Sequence, residues 1–427
     1  MVTKEDLISV LKCDLKPALG CTEPIAIALA SAYATKLIDE KIDKIAVTLS
    51  QNILKNAMGV GIPGTGERGI RLAAALGSVA GVPERELEVL IDVNEENIAK
   101  AKEFAEEERV SVDLADNGEL FWIEVVVKSA NHQAIAVIQG NHTNLILLKV
   151  DDNILQQNPK KAPCCKTDDI RRVMTIQDIF EIVKELDEED LGFLNESLDK
   201  NYNIAKYGME HRSGYHIGNV IMDNIAKGLI GDDMINYATA LTAAGSDARM
   251  SGCLLPAMAN SGSGNQGITL TVPLIAVAER LKKSHLELLR SVAMSHLISI
   301  HVKSYFGILS ALCGVVNASI GVACGTVYLL GGSLLHIFAA TQDVIGNISG
   351  MICDGAKLGC SLKVATGVRT AIHSAILGVD EVYVHCYEGI NGKDPEESLA
   401  NLGKIVLGGM KEVDRSILTV MLNKNNI

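Results

Sequence analysis

The residues best suited to chemistry gather in Met351 to Ser361, which reads M-I-C-D-G-A-K-L-G-C-S. Cys353 and Cys360 flank a turn that holds Asp354, Gly355 and Gly359. Ser361 has the type of a helix N-cap, and Val364, Val368, Ile372 and Ile376 supply the apolar stripe of the helix expected after it. Cys360 then stands where unpaired backbone N–H groups point outward. That setting favours a thiolate, the form of cysteine that binds metal. Two cysteines on a glycine-bent loop cannot hold a cluster alone, and the third candidate is Cys313 in A-L-C-G-V-V-N.

Cys21 lies in a second such stretch, K-P-A-L-G-C-T-E-P. Thr22 reads as an N-cap and Pro24 fits the first helical turn, where its missing N–H costs nothing. The helix that follows carries almost no charge, so it is buried. Cys21 just before it would have a lowered thiol pKa, unless it is simply a small core residue. Two polar stretches join these. S-D-A-R-M-S-G at 246–252 places Asp247 and Arg249 in a loop that ends a helix. A-N-S-G-S-G-N-Q-G at 259–267 carries Ser261, Ser263, Asn265 and Gln266 ahead of another helix. Such a run leaves successive N–H groups free at a helix N-terminus, and a carboxylate suits them as well as a phosphate. An ordinary loop is the plain alternative. Asn52, Lys55 and Asn56, polar groups that could line a site, sit in a glycine-thick segment that is no Walker loop, because no Gly-Lys-Ser/Thr follows. Asn52 and, further on, Lys303 are candidates for a pocket wall.

The elements that must position these residues follow from patterning. A chain of 427 residues can bury a sizeable core. With aromatics at only 4 % and small apolar residues abundant, the expected helices meet through small side chains. The predicted class is α+β. A mostly helical catalytic body spans 1–40 and 175–427, a smaller α/β subdomain (41–150) is inserted between its parts, and 151–174 forms a polar linker containing Cys164 and Cys165. Within the subdomain, Lys44 begins a strand and Leu87 to Val93 reads as another. Trp122 to Lys128, Gln133 to Gln139 and Asn144 to Val150 read as hairpin-linked strands. Val379 to Cys386 alternates like a strand inside the otherwise helical second half.

A net charge of −13 argues against a nucleic-acid partner. Residues 304–342 contain no Asp, Glu, Lys or Arg, long enough to cross a bilayer, but Asn317, Gly331-Gly332 and His336 interrupt them. Two buried helices meeting at the glycine pair fit better than a membrane span. The first residues lack the apolar core of a signal peptide, so the ten cysteines are expected reduced in the cytoplasm, and metal or catalytic use outranks disulfides.

Six motifs in order, K-P-A-L-G-C-T-E-P, K-N-A-M-G-V-G-I-P-G-T-G, S-D-A-R-M-S-G, N-S-G-S-G-N-Q-G, L-S-A-L-C-G and M-I-C-D-G-A-K-L-G-C, resemble the L-cysteine desulfidases. That family is related to the α chain of iron–sulfur L-serine dehydratases. The resemblance implies a [4Fe–4S] cluster on Cys313, Cys353 and Cys360, and Cys21 as proton acceptor. The implied reaction converts L-cysteine to pyruvate, ammonia and hydrogen sulfide without pyridoxal phosphate. Three ligands leave one iron open to a sulfur leaving group. Arg249 and the Ser261 to Gln266 run would then hold the substrate carboxylate. L-Serine dehydration is the nearest alternative, and a zinc protein using Cys313, Cys353, Cys360 and Cys386, or a structural protein without metal, is the alternative of another class. A small amino acid is the expected partner; a homo-oligomer stays open.

Overall fold

The computed structural model describes residues 2–158, 167–307 and 309–424. It is an α+β protein with eight strands among the described residues: β1 (Leu15–Leu19), β2 (Lys44–Leu49), β3 (Val110–Leu114), β4 (Trp122–Lys128), β5 (Gln133–Gln139), β6 (Leu145–Val150), β7 (Asn153–Gln157) and β8 (Pro256–Asn260). Strands β2 to β7 form one sheet in the order β3-β2-β4-β5-β6-β7. Only β2 and β3 run parallel, and every other neighbour is antiparallel. Ile123, Val125 and Val127 alternate inward along β4, as a sheet with one covered face requires. β1 and β8 pair separately, with Leu15 opposite Asn260 and Leu19 opposite Pro256.

Helix Thr22–Thr35 covers the six-stranded sheet, and its apolar side chains join the core of Ile45, Val47, Leu49 and Ile123. The core of the sheet thus takes in part of the 1–40 segment that was expected in the helical body. The helix is apolar on every side because it lies between the sheet and helix Ile70–Ala80. At that crossing a Cβ on Gly77 would stand 2.1 Å from Ala28 O, so only glycine lets the two backbones approach. A second, larger core unites helices Met234–Met250, Gly264–Leu281, His285–Ser304, Gly314–Leu329, Leu334–Ile348 and Cys360–Val379. The uncharged stretch divides at Gly331-Gly332 into two helices, and no helix among the described residues is long and apolar enough to cross a membrane.

Several local expectations give way to packing. Leu87 to Val93 is instead the end of a 3-10 helix followed by turns, with Leu87, Val89 and Leu90 buried, and it joins neither sheet. Val379 ends a helix, and the segment after it forms no strand; Val384 N–H donates to the Asp343 side chain instead (2.8 Å). The supposed linker contributes β7 and helix Thr167–Val173, while Cys164 and Cys165 lie outside the described residues. Asn52 and Lys55 belong to helix Gln51–Ala57 rather than to a loop.

Candidate active site

Two backbone pairings assemble the site from distant segments. The β1–β8 ladder carries Cys21 beside the Ser261 to Gln266 turn, and Thr22 Oγ1 donates to Gly262 O at 2.8 Å. Further along, Cys313 N–H donates to Met351 O (2.9 Å) and Cys353 N–H to Ala311 O (2.6 Å), so the Cys313 and Cys353 segments lie side by side. Lys363 fastens the loop by donating to Ile352 O (2.9 Å) and to the Asp354 carboxylate (2.5 Å). Lys55 holds it from behind, donating to Cys353 O at 3.1 Å while paired with Asp414.

These segments enclose a cavity of about 140 Å³ whose wall includes Cys21, Cys313, Cys353 and Cys360 together with Arg249, Ser261, Ser263, Asn265, Gln266 and Lys303. Asn52 is buried elsewhere; Asn56, one turn later on its helix, is the residue that reaches the wall. Cys386 is exposed and does not line the cavity, so the four-cysteine zinc arrangement is not formed.

Helix N-termini converge here. Cys21 caps helix Thr22–Thr35, Ser263 caps Gly264–Leu281, and Cys313 caps Gly314–Leu329. Cys360 is the first residue of Cys360–Val379, with Gly359 rather than Ser361 as the cap. Thr22 likewise proves to be the first helical residue, and Cys21 the cap. Orphan N–H groups and the positive dipole ends favour anions. Arg249 lies on the last turn of helix Met234–Met250, not in a loop, and its buried Nε has no hydrogen-bond partner. A Cβ on Gly264 would stand 2.3 Å from that Nε, so a glycine there makes room for the guanidinium. Asp247 has a structural task, accepting the N–H groups of Ile217 (2.7 Å) and Tyr215 (3.2 Å). In the Ser261 turn, the N–H groups of Ser261 and Ser263 are spent on Asp14 O and Asn260 O. Asn265, in the first helical turn and on the cavity wall, has no acceptor for its N–H within the helix.

The electrostatics of Cys21 differ from expectation. Burial, then the charge of Glu23, pushes its thiol well above the ordinary range, with Arg249 opposing. The thiol donates to Glu23 Oε2 at 3.0 Å. Burial disfavours the Glu23 carboxylate, yet its pKa is lowered, first by His142 and then by hydrogen bonds from Cys21 and Asn56. His142 is itself depressed to about 4 by burial, so at neutral pH the hydrogen bonds must carry that effect. Burial also lowers Lys303, to about 8, against Asp14 and Glu23. Glu23 and His142 escaped sequence reasoning. Glu23 had the look of a first-turn acid favoured by the helix dipole, though its place two residues after Cys21 was a usable signal. His142 sits in the β5–β6 turn, and nothing local points it inward.

Burial raises Cys313 and Cys360, and a neighbouring thiolate raises each further. Thiolates at Cys313 and Cys360 are therefore favoured only by a positive partner: Lys363 is one, and a metal centre would be another. Among the described residues no three His, Cys, Asp or Glu side chains converge closely enough to grip one metal ion. A cluster several ångströms across spaces its thiolates more widely than a single ion does. Soft thiols lining one wall are the donor set such a cluster takes.

Residues 84–419 match the serine dehydratase alpha chain family. The chain belongs to that family. A lyase-type enzyme of the iron–sulfur dehydratase kind follows from membership. Full-length similarity extends to a UPF0597 protein of Oleidesulfovibrio alaskensis, 41 % identical with 98 % of this chain and 97 % of that one covered. A UPF0597 protein of Clostridioides difficile is 39 % identical, covering 98 % and 100 % respectively. One of Parabacteroides distasonis is 38 % identical, covering 99 % of each chain.

Proposed function

We propose that this protein is a [4Fe–4S]-dependent, pyridoxal-phosphate-independent lyase that converts L-cysteine to pyruvate, ammonia and hydrogen sulfide. The observation that carries it is the single cavity on which Cys313, Cys353 and Cys360 meet Cys21, Arg249 and Lys303. Cys313, Cys353 and Cys360 would hold the cluster, which when bound supplies a thiophilic Lewis acid for the leaving sulfur. Arg249 and the N–H of Asn265 take the substrate carboxylate, and Lys303 adds positive charge to the same cavity. Held there, the α-C–H has a fixed orientation toward Cys21.

Cys21 begins as a thiol hydrogen-bonded to Glu23. Its proton passes to the Glu23 carboxylate, and the resulting thiolate takes the α-proton of the substrate. Cleavage of the Cβ–S bond then expels the sulfur as hydrosulfide and gives the enamine, which tautomerises to the imine and is hydrolysed by water to pyruvate and ammonia. Burial of Cys21 and Glu23 keeps water from the transfer.

L-Serine is the second reading, and the serine dehydratase match favours it. That match begins at residue 84, after the G-C-T-E-P motif at Gly20 to Pro24 on which the cysteine reading rests. Parallel assays decide: protein purified anaerobically is analysed for iron and sulfide, then tested for pyruvate release from each amino acid. Faster turnover of L-cysteine (kcat/KM) is expected. Preference for L-serine reverses the substrate assignment, and iron-free protein that turns over either one rules out the cluster.

A further inference from the structure

A chain of one-way hydrogen bonds sets the direction of one amide on the cavity wall. It starts at a group that can only accept, the backbone carbonyl of His296. Asn260 Nδ2 donates to that oxygen (3.4 Å) and to His296 Nδ1 (3.0 Å). Asn260 Oδ1 must therefore face Gln266, whose Nε2 donates to it at 2.9 Å and to Ser299 Oγ at 2.7 Å. Both protons of Nε2 are used. Gln266 Oε1 is left at the cavity as an acceptor, buried and without a partner. Asn56 is oriented in the same manner: Nδ2 donates to Glu23 Oε1 at 2.9 Å, and Oδ1 is buried and unpartnered. The residues are only 2 % and 8 % exposed, so bulk water does not satisfy these oxygens. A buried acceptor left empty costs free energy, which a donor-rich ligand group would recover.

We propose that Gln266 Oε1, with Asn56 Oδ1 as a second acceptor, selects the α-ammonium of the substrate and so restricts the site to α-amino acids over α-hydroxy acids. An ammonium brings three donors and a charge, whereas a hydroxyl brings one donor and none. Donors and acceptors then divide the zwitterion, with Arg249 toward its carboxylate. The inference rests on the elimination reading only for the identity of the site, so its test uses ligands that cannot eliminate.

The anaerobically purified holoprotein is titrated calorimetrically with L-alanine, L-lactate and propionate. L-Alanine is expected to bind at least about tenfold tighter than either of the others, as hydrogen bonds to a charged group require. In Gln266→Met, L-alanine should weaken roughly 10- to 100-fold while propionate stays within about twofold, which also reports an intact carboxylate site. Equal affinity of the unmutated protein for L-alanine and L-lactate overturns the proposal, and that comparison stands even if the variant does not fold. Equal weakening of L-alanine and propionate overturns it as well. A protein that prefers L-alanine yet releases no pyruvate from L-cysteine or L-serine keeps its ammonium site and loses the elimination reading.

Discussion

Glu23→Gln isolates the proton route. Glu23 is fully enclosed, receives the Cys21 thiol at 3.0 Å and the Asn56 amide at 2.9 Å, and retains its negative charge against burial. The amide is nearly isosteric but a far poorer proton acceptor. It can still accept on one side, so one of the two hydrogen bonds is lost, at about 1–3 kcal/mol, which leaves the fold standing. Turnover depends on the other property. Losing a positioned proton acceptor costs about 10²–10⁴-fold, and the loss should appear in kcat with L-cysteine or L-serine. Iron content and L-alanine affinity should stay near those of the unmutated protein. Normal kcat in Glu23→Gln refutes the relay.

Cys313→Ala, Cys353→Ala and Cys360→Ala should each lose iron and activity, whereas Cys324→Ala keeps both. Cys324 points into the helical core, where its sulfur lies 3.4 Å from Thr341 Oγ1, and full iron in any of the first three variants refutes the ligand set. For Lys303, burial lowers the pKa to about 8, so propionate affinity should fall as pH rises through that value, and Lys303→Met should flatten the profile. Stability runs the other way. The unfolded chain binds more protons than the folded one between about 8 and 10.5, so Lys303 contributes stability above that window and loses it as pH falls through about 8. Lys55→Met strands Asp414 and releases the Cys353 carbonyl; removing one partner of a buried pair costs about 3 kcal/mol at the low end of its range. The low end applies because the Asp414 side chain remains 12 % exposed, and an unchanged denaturant midpoint would contradict the role of Lys55 as a brace.

Residue spacing revealed the α+β class, the hairpins and the helical second half, because each is a local pattern. It failed where partners lie far apart in sequence. β1 contains Pro17 and small residues and has little strand character of its own; it exists because β8, some 240 positions later, pairs with it. Leu87 to Val93, expected as a strand, forms the end of a 3-10 helix and turns and joins neither sheet. The motif cysteines reached one cavity because glycine-bent turns and helix starts are legible locally. His142 was invisible, since it enters from a hairpin turn, packs on Phe121 with ring centroids 4.8 Å apart, and fits only against Gly262. A Cβ at Gly262 would come within 2.7 Å of the imidazole, at a φ of +81° that other residues rarely adopt.

The expectation of a depressed Cys21 pKa failed for a quantitative reason that also bears on the other three cysteines. A helix N-terminus favours a nearby negative charge by about 0.3–1 kcal/mol, reaching about 2 kcal/mol in partly buried sites. Burying an unpaired ion costs several kcal/mol. Burial therefore wins at Cys21, Cys313 and Cys360 alike, although each sits at a helix start. The helix ends serve to aim the sulfurs rather than to ionise them. On the proposed function, ionisation would come from a partner specific to each: a metal centre for Cys313, Cys353 and Cys360, and the Glu23 carboxylate for Cys21. On this accounting Cys21 and Glu23 act as a unit, and Cys21→Ala combined with Glu23→Gln should cost scarcely more in kcat than Cys21→Ala alone. Independent, multiplying losses would show that Glu23 serves the substrate by some route other than the thiol.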